Sequence, residues 1–304
     1  MDTTSIYKFF GFSDSERDLI TVLGSELFFN SVDGFNDPFE AKPVIKPLVY
    51  DQGMEERYFW TSQQIAMSRG VPEEVRLSEG RAAIEYLRET GKSRTFEAIR
   101  ESFSSLMADV VAPLTQMYGV TCFATDSGVL KASAKEYMWF HYGNGLRGLC
   151  LEFDKDVLVD SIYALNPQED ENHQPHLVAK DVNYVHIRPE LDAFRFLEVY
   201  SLYQHDLSQK QWIYDSLFYP TLFTKPLAFA AEREFRIILE GAVKKKMRFS
   251  PSAVRAVYIG ERMESKLKQD VIGYFLSAGV TNIQEVQIDH ESYDLKVTPI
   301  TPGT

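Results

Sequence analysis

The chain has little of what several protein classes require. Two cysteines in 304 residues cannot build a disulfide framework. Cys122 and Cys150 lie in apolar surroundings, Thr121-Cys122-Phe123 and Leu149-Cys150-Leu151, and read as reduced core thiols, which favours the cytoplasm. No window approaches the eighteen or so apolar residues of a membrane span, and the start at Met1-Asp2-Thr3 lacks the basic and apolar regions of a secretory leader. A soluble, unprocessed, cytoplasmic protein without a membrane partner is expected. Positive charge is also short: 32 Lys and Arg against 44 Asp and Glu leave a net charge of -12. That balance opposes general binding to nucleic-acid backbones, whose affinity comes from clustered cations releasing counterions. The one dense basic run, Lys244 to Lys246 with Arg248, reads as a solvated turn.

Familiar catalytic signatures are missing too. No Walker A, G-x-S-x-G, H-E-x-x-H or C-x-x-C pattern occurs. Gly143-Asn144-Gly145-Leu146-Arg147-Gly148 satisfies G-x-G-x-x-G, but it follows a helical pattern and precedes a strand. A dinucleotide fingerprint needs the reverse order, so this segment is read as a helix stop and tight turn. The stretch 168–176 offers three carboxylates and two imidazoles, yet has no periodicity to hold ligands in place and reads as an acidic loop. No tightly bound metal is expected.

What is present is a well-punctuated globular chain, 44% hydrophobic and 13% aromatic. Residues 6–10 and 27–30 form short aromatic runs with the look of strands. Between them the capping box Ser13-x-x-Glu16, then Leu19, Ile20 and Leu23, spell a helix stopped at Gly24. Gly34-Phe35-Asn36-Asp37-Pro38-Phe39-Glu40 reads as a rigid polar turn anchored by its two phenylalanines. Residues 55–118 turn helical, with Phe96, Ile99, Phe103, Leu106, Val110 and Leu114 forming one packing face. Strands are expected at 120–124, 149–153, 234–239, 253–259, 283–288 and 295–300, and helices at 136–142, 190–218 and 265–278. The pattern predicts an α+β fold, a single mixed-sheet domain over 1–304 with a helical insertion near 55–118.

The chemically suggestive segment is Glu232-Arg233-Glu234-Phe235-Arg236. Strand alternation would place Glu232, Glu234 and Arg236 on one face. The bland interpretation is an exposed ladder of alternating charge of the kind edge strands carry. The functional one is a carboxylate pair oriented by an arginine, with Lys225 nearby, able to stabilise an oxocarbenium-like transition state. Alternatively, Asp37 or Glu152 with Glu234 would hold Mg²⁺ for phosphodiester cleavage. Trp139 and Tyr142 either belong to a core aromatic cluster or wall a planar ligand such as a base or nicotinamide, with His141 donating a hydrogen bond.

Four groups of residues together resemble an uncharacterised bacterial family whose members carry the label domain of unknown function. These are Ile6-Tyr7-Lys8-Phe9; Glu26 to Asn30 with Phe35 to Glu40; Met138 to Tyr142 with Gly148 to Asp154; and Lys225 with Glu232 to Arg236. The opening strand, helix and strand followed much later by Glu-x-Glu also looks like the ADP-ribosyltransferase fold. That resemblance implies NAD as substrate, with Glu234 and Glu232 catalytic: Glu234 at the nicotinamide ribose and Glu232 nearer the acceptor. It further implies Tyr7 or Lys8 and Ser31 as the NAD clamp, and Asn36, Trp139, His141, Tyr142, Lys225 and Arg236 lining the nucleotide. The implied partner is a small-molecule nucleotide; the alternatives left open are the Mg²⁺-dependent nuclease and a non-catalytic nucleotide- or peptide-binding module.

Overall fold

The computed structural model describes residues 5–12, 16–35, 44–45, 52–89, 101, 116–125, 136–166, 175–192, 194 and 219–300. In chain order the elements are β1 (Ser5–Phe10), α1 (Glu16–Leu23), β2 (Glu26–Phe29), β3 (Val44–Ile45), α2 (Gln52–Ser68), α3 (Glu73–Glu89), β4 (Tyr118–Thr125), α4 (Glu136–His141), β5 (Leu149–Asp154), α5 (Lys155–Leu165) and β6 (Leu177–Asp181). There follow β7 (Asn183–Val185), β8 (Glu190–Leu191), α6 (Tyr219–Leu222), β9 (Thr224–Pro226), β10 (Glu234–Glu240), β11 (Lys245–Arg248), β12 (Val254–Gly260), α7 (Ser265–Ser277), β13 (Ile283–Ile288) and β14 (Leu295–Pro299). The architecture is α+β around a large mixed sheet. The chain divides into two compact units: one of residues 1–36, 116–182 and 227–304, the other of residues 37–115 and 183–226. No helix among the described residues is long and apolar enough to cross a membrane.

The first unit is built on an eight-stranded sheet ordered β14-β13-β12-β5-β1-β4-β10-β6. Every pairing in it is antiparallel except β12 with β13, which α7 joins as a crossover. Its two faces differ because successive strand residues point oppositely. One face carries Ile6, Phe10, Phe123, Leu151, Phe153, Phe235, Ile237 and Leu239, and buries them under Leu158 and Ile162 of α5 and Val271 and Phe275 of α7. β2 pairs with β11 outside the main sheet, and Leu27, Phe29 and Met247 of that ribbon join the same core. The opposite face carries a smaller cluster of Tyr7, Ala124, Cys150, Ala256 and Tyr258 with Met138 and Trp139 of α4.

In the second unit α2 and α3 pack together, tied by the Gln63 side chain donating to the Arg76 carbonyl and by the Arg88–Glu55 ion pair. The expected helical stretch thus begins as two helices. Its proposed packing face from Phe96 to Leu114 lies outside the described residues, as does the acidic loop up to His173. Residues 183–226 contribute the short parallel pair β7–β9, and β8 pairs in parallel with β3. Glu190 and Leu191 are therefore strand where the pattern suggested a helix; two residues are too short for their periodicity to be read.

Local punctuation mostly follows expectation. α1 ends where anticipated, but the left-handed residue is Ser25 (φ 50°) rather than Gly24, its amide donating to the Val22 carbonyl. Ser13, the expected cap, lies outside the described residues. The basic run is not a turn: Lys245 to Arg248 form β11, which buries Met247 and leaves its cations exposed. Both cysteines are free thiols. α5 was not anticipated because its start abuts β5 with no loop between; Asp154 ends the strand and caps the helix, accepting from the amides of Asp156 and Val157.

Burial pushes the Asp154 carboxyl up, but the Val157 and Asp156 amides and Arg255, whose Nη2 lies 2.6 Å away, outweigh it and hold it below the ordinary aspartate value. A depressed folded-state value stabilises the fold above the unfolded value of about 4 and loses that contribution as pH falls through the folded value. Asp154→Asn keeps a competent cap and removes the ion pair. It is expected to cost about 1 kcal/mol or less at neutral pH and to flatten the acid limb below about pH 4. Urea midpoints measured across that range check both effects.

Candidate functional site

The small-core face of the first sheet carries polar groups on a defined row. Register places Ala256, Glu152, Tyr7, Ala124 and Glu234 side by side across β12, β5, β1, β4 and β10. Residues paired in this way share a face, so Glu234, Tyr7 and Glu152 all point to the α4 side. Arg236 lies two residues further along β10, beside Cys122.

β10 lies between β4 and β6, one strand in from the edge, which removes the premise of the exposed charge ladder. Glu232 and Glu234 are each 6% exposed and Arg236 1%. Arg236 grips Glu234 with both arms of its fork: Nε donates to Oε1 at 2.7 Å and Nη2 to Oε2 at 3.1 Å. The guanidinium carbon also lies 5.4 Å from the centre of the Phe35 ring. Glu232 does not continue the strand. It ends a 3-10 turn over Leu227–Glu232, and Arg233 then takes a positive φ of 44° before β10 begins. The Arg233 carbonyl is held by the amide and hydroxyl of Thr125. Glu232 is thereby turned toward α4, where its Oε1 accepts from the Tyr142 hydroxyl at 2.8 Å.

The remaining expected site residues do not all share this row. Lys8 projects from the opposite face to Tyr7, donating to the Cys122 carbonyl at 2.9 Å near the Phe123 and Phe10 rings. Of the two alternatives for the first clamp position, only Tyr7 shares the Glu234 row. Ser31 is buried beside Asn30, which bridges to Val120 of β4, four residues from Ala124 and so about 13 Å along the strand. Trp139 is wholly buried, edge-on to Phe9 at 5.4 Å between ring centres, and is core rather than a ligand wall. Tyr142 and His141 are exposed, His141 packing against Tyr137 at 4.4 Å. Lys225 is buried in the second unit. Asn36 and Asp37 lie outside the described residues.

Glu152, read in the sequence as a candidate Mg²⁺ ligand, instead belongs to a second polar group whose other members the sequence did not single out. Glu152 accepts from Ser5 and Tyr258 at 2.7 Å each, and Arg255 joins Ser5 to Asp154. Tyr258 and Arg255 were the available signal, the two polar side chains of a strand that is apolar at its other positions. Glu152 and Glu234 stand three strand spacings apart, about 14 Å, too far to share one cation. The Mg²⁺ alternative that pairs Glu152 with Glu234 fails on that distance, while Asp37 lies outside the described residues. Among the described residues no three His, Cys, Asp or Glu side chains converge as metal ligands do.

A buried ion pair costs desolvation that its attraction repays only with good geometry, and removing one partner strands a charge. Arg236→Met alone is expected to destabilise the fold by about 3–5 kcal/mol. Adding Glu234→Leu should recover much of that loss, a strong positive coupling visible in a double-mutant cycle from denaturant unfolding.

Comparison with known proteins gives one match. Residues 138–237, from α4 into β10, fit a family model described as a protein of unknown function (DUF2971). No curated protein and no solved structure matches the chain. The matched segment holds Tyr142, Glu152, Glu232, Glu234 and Arg236, whereas the segments at 6–9 and 35–40 lie outside it. Over residues 138–237 the chain is similar to this uncharacterised family.

Proposed function

We propose that the first unit binds a nucleotide and breaks a glycosidic bond in it, with NAD as the substrate and ADP-ribosyl transfer or hydrolysis as the reaction. The observation that carries this reading is the burial of three ionisable side chains, Glu232, Glu234 and Arg236, within five residues of one another. Such groups lower stability unless paired, and their concentration on one sheet face marks a candidate for chemistry.

The roles follow from the contacts. Arg236 holds Glu234 in a single orientation through two hydrogen bonds, making it a positioning residue. Glu234, on the row with Tyr7, is the carboxylate that stabilises the cationic ribose as the C–N bond breaks and its electron pair leaves with nicotinamide. A new C–O bond then forms to water or to an acceptor hydroxyl. Glu232, held by the Tyr142 hydroxyl, takes the proton from that oxygen. The Tyr142 ring is 42% exposed, so this hydrogen bond connects a buried carboxylate to the surface.

Purified protein incubated with NAD is expected to release nicotinamide whether or not a chelator is present. Glu234→Gln and Glu232→Gln should each lower the rate by about 100-fold or more. Undiminished release from Glu234→Gln would overturn the proposal. A binding module is the second reading, favoured by the commitment of both Glu234 oxygens to Arg236. It predicts saturable thermal stabilisation by NAD with no nicotinamide released.

A further inference from the structure

The G-x-G-x-x-G segment is a turn between α4 and β5, and three consecutive residues in it, Asn144, Gly145 and Leu146, have positive φ of 50°, 59° and 67°. This left-handed turn is pinned to the end of β12. The Arg262 amide donates to the Leu146 carbonyl, and the Gly260 amide donates to the Gly148 carbonyl. Gly260 and Gly148 allow that approach, since a Cβ on the first would strike the Leu146 carbonyl and on the second the Phe10 carbonyl. Leu146 itself is fully buried and anchors the loop.

The outcome is that Arg147 and Arg262, far apart in sequence, emerge side by side. Their Nη1 atoms lie 3.5 Å and 4.0 Å from one point above Gly145. Both side chains are exposed, and among the described residues neither makes an ion pair. Each donates a single long bond to a main-chain carbonyl, Arg147 to Asn144 at 3.4 Å and Arg262 to Gly145 at 3.5 Å. A guanidinium has five donors, so most of each fork remains available. Of the acids close by in sequence, Glu261 makes no ion pair with the adjacent Arg262, and Glu264 has both oxygens committed to the amides of Lys266 and Leu267 at the start of α7. In a chain of net charge -12, two cations brought together on a rigid mount and making no ion pair among the described residues are poised for an external anion.

We infer that Arg147 and Arg262 form a phosphate-binding site that captures the phosphate or diphosphate group of a small metabolite. Planar forks suit phosphate oxygens, and two guanidiniums around one point can each donate a charge-assisted bond of about 2.8 Å to a shared group. The dinucleotide motif is then a false match by topology, its helix N-terminus replaced by side-chain cations. Capture at this site requires nothing of Glu234, so it stands or falls separately from NAD turnover.

Calorimetric titration with inorganic pyrophosphate tests it on the full chain. Saturable binding is expected, weakened about tenfold by Arg147→Gln or Arg262→Gln and abolished in the double variant, with ligand-free melting temperatures unchanged. Tighter binding of ADP than of pyrophosphate would assign the group to a nucleotide, and equal binding would assign it to the bare diphosphate. No saturable binding to the wild-type chain, or binding undiminished in the double variant, would overturn the site. So would a single-stranded oligonucleotide that binds more tightly than either small ligand through the same arginines.

Discussion

The bidentate contact between Arg236 and Glu234 is the constraint around which the polar face of the sheet is arranged. Two ionised groups under a tenth exposed are tolerable only when each satisfies the other, and the fork geometry does this while holding the carboxylate on the row shared with Tyr7 and Glu152. Phe35 caps the guanidinium with its ring, linking the end of the short turn after β2 to the middle of β10. The left-handed Arg233 then breaks the strand just upstream and turns Glu232 toward Tyr142.

This arrangement is possible because the other face of the sheet supplies most of the apolar burial. Ile6, Phe123, Phe153, Phe235 and Ile237 pack beneath α5 and α7 and the β2–β11 ribbon in one large cluster. The α4 face, with its few apolar residues, can accommodate Glu152 and its Ser5 and Tyr258 partners at one point and Glu232, Glu234 and Arg236 at another. A stable core on one side and concentrated polar groups on the other is a division of labour between faces, written strand by strand in the alternation of residues.

That alternation explains what was legible in the sequence. Residues 6–10, 120–124, 149–153 and 254–259 form strands as their patterns suggest, and the helix at 265–277 follows its 3.6-residue period. The Glu234–Arg236 pair was visible as a motif, but β10 is kept from the sheet edge by β6, a long-range pairing that no local pattern encodes. The opposite faces of Tyr7 and Lys8 followed from period two; what decided between them was which face Glu234 occupied, and that required the β4 register. Trp139 illustrates the converse: an aromatic on a six-residue helix has too little periodicity to tell core from surface, and tertiary packing made it core. The convergence of Arg147 and Arg262 was hidden for the same reason as β6, because the contact joins segments more than a hundred residues apart.

The most direct test of this account is the solvent exchange of arginine Nε–H groups followed by NMR in uniformly labelled protein. If the Arg236 Nε–H is buried and bonded to Glu234, one Nε–H signal is expected to exchange orders of magnitude more slowly than those of exposed arginines such as Arg147. It should be absent from the spectrum of Arg236→Met and exchange faster in Glu234→Gln. An Arg236 Nε–H exchanging as fast as those on the surface would contradict the buried pair, and with it the organisation of the polar face.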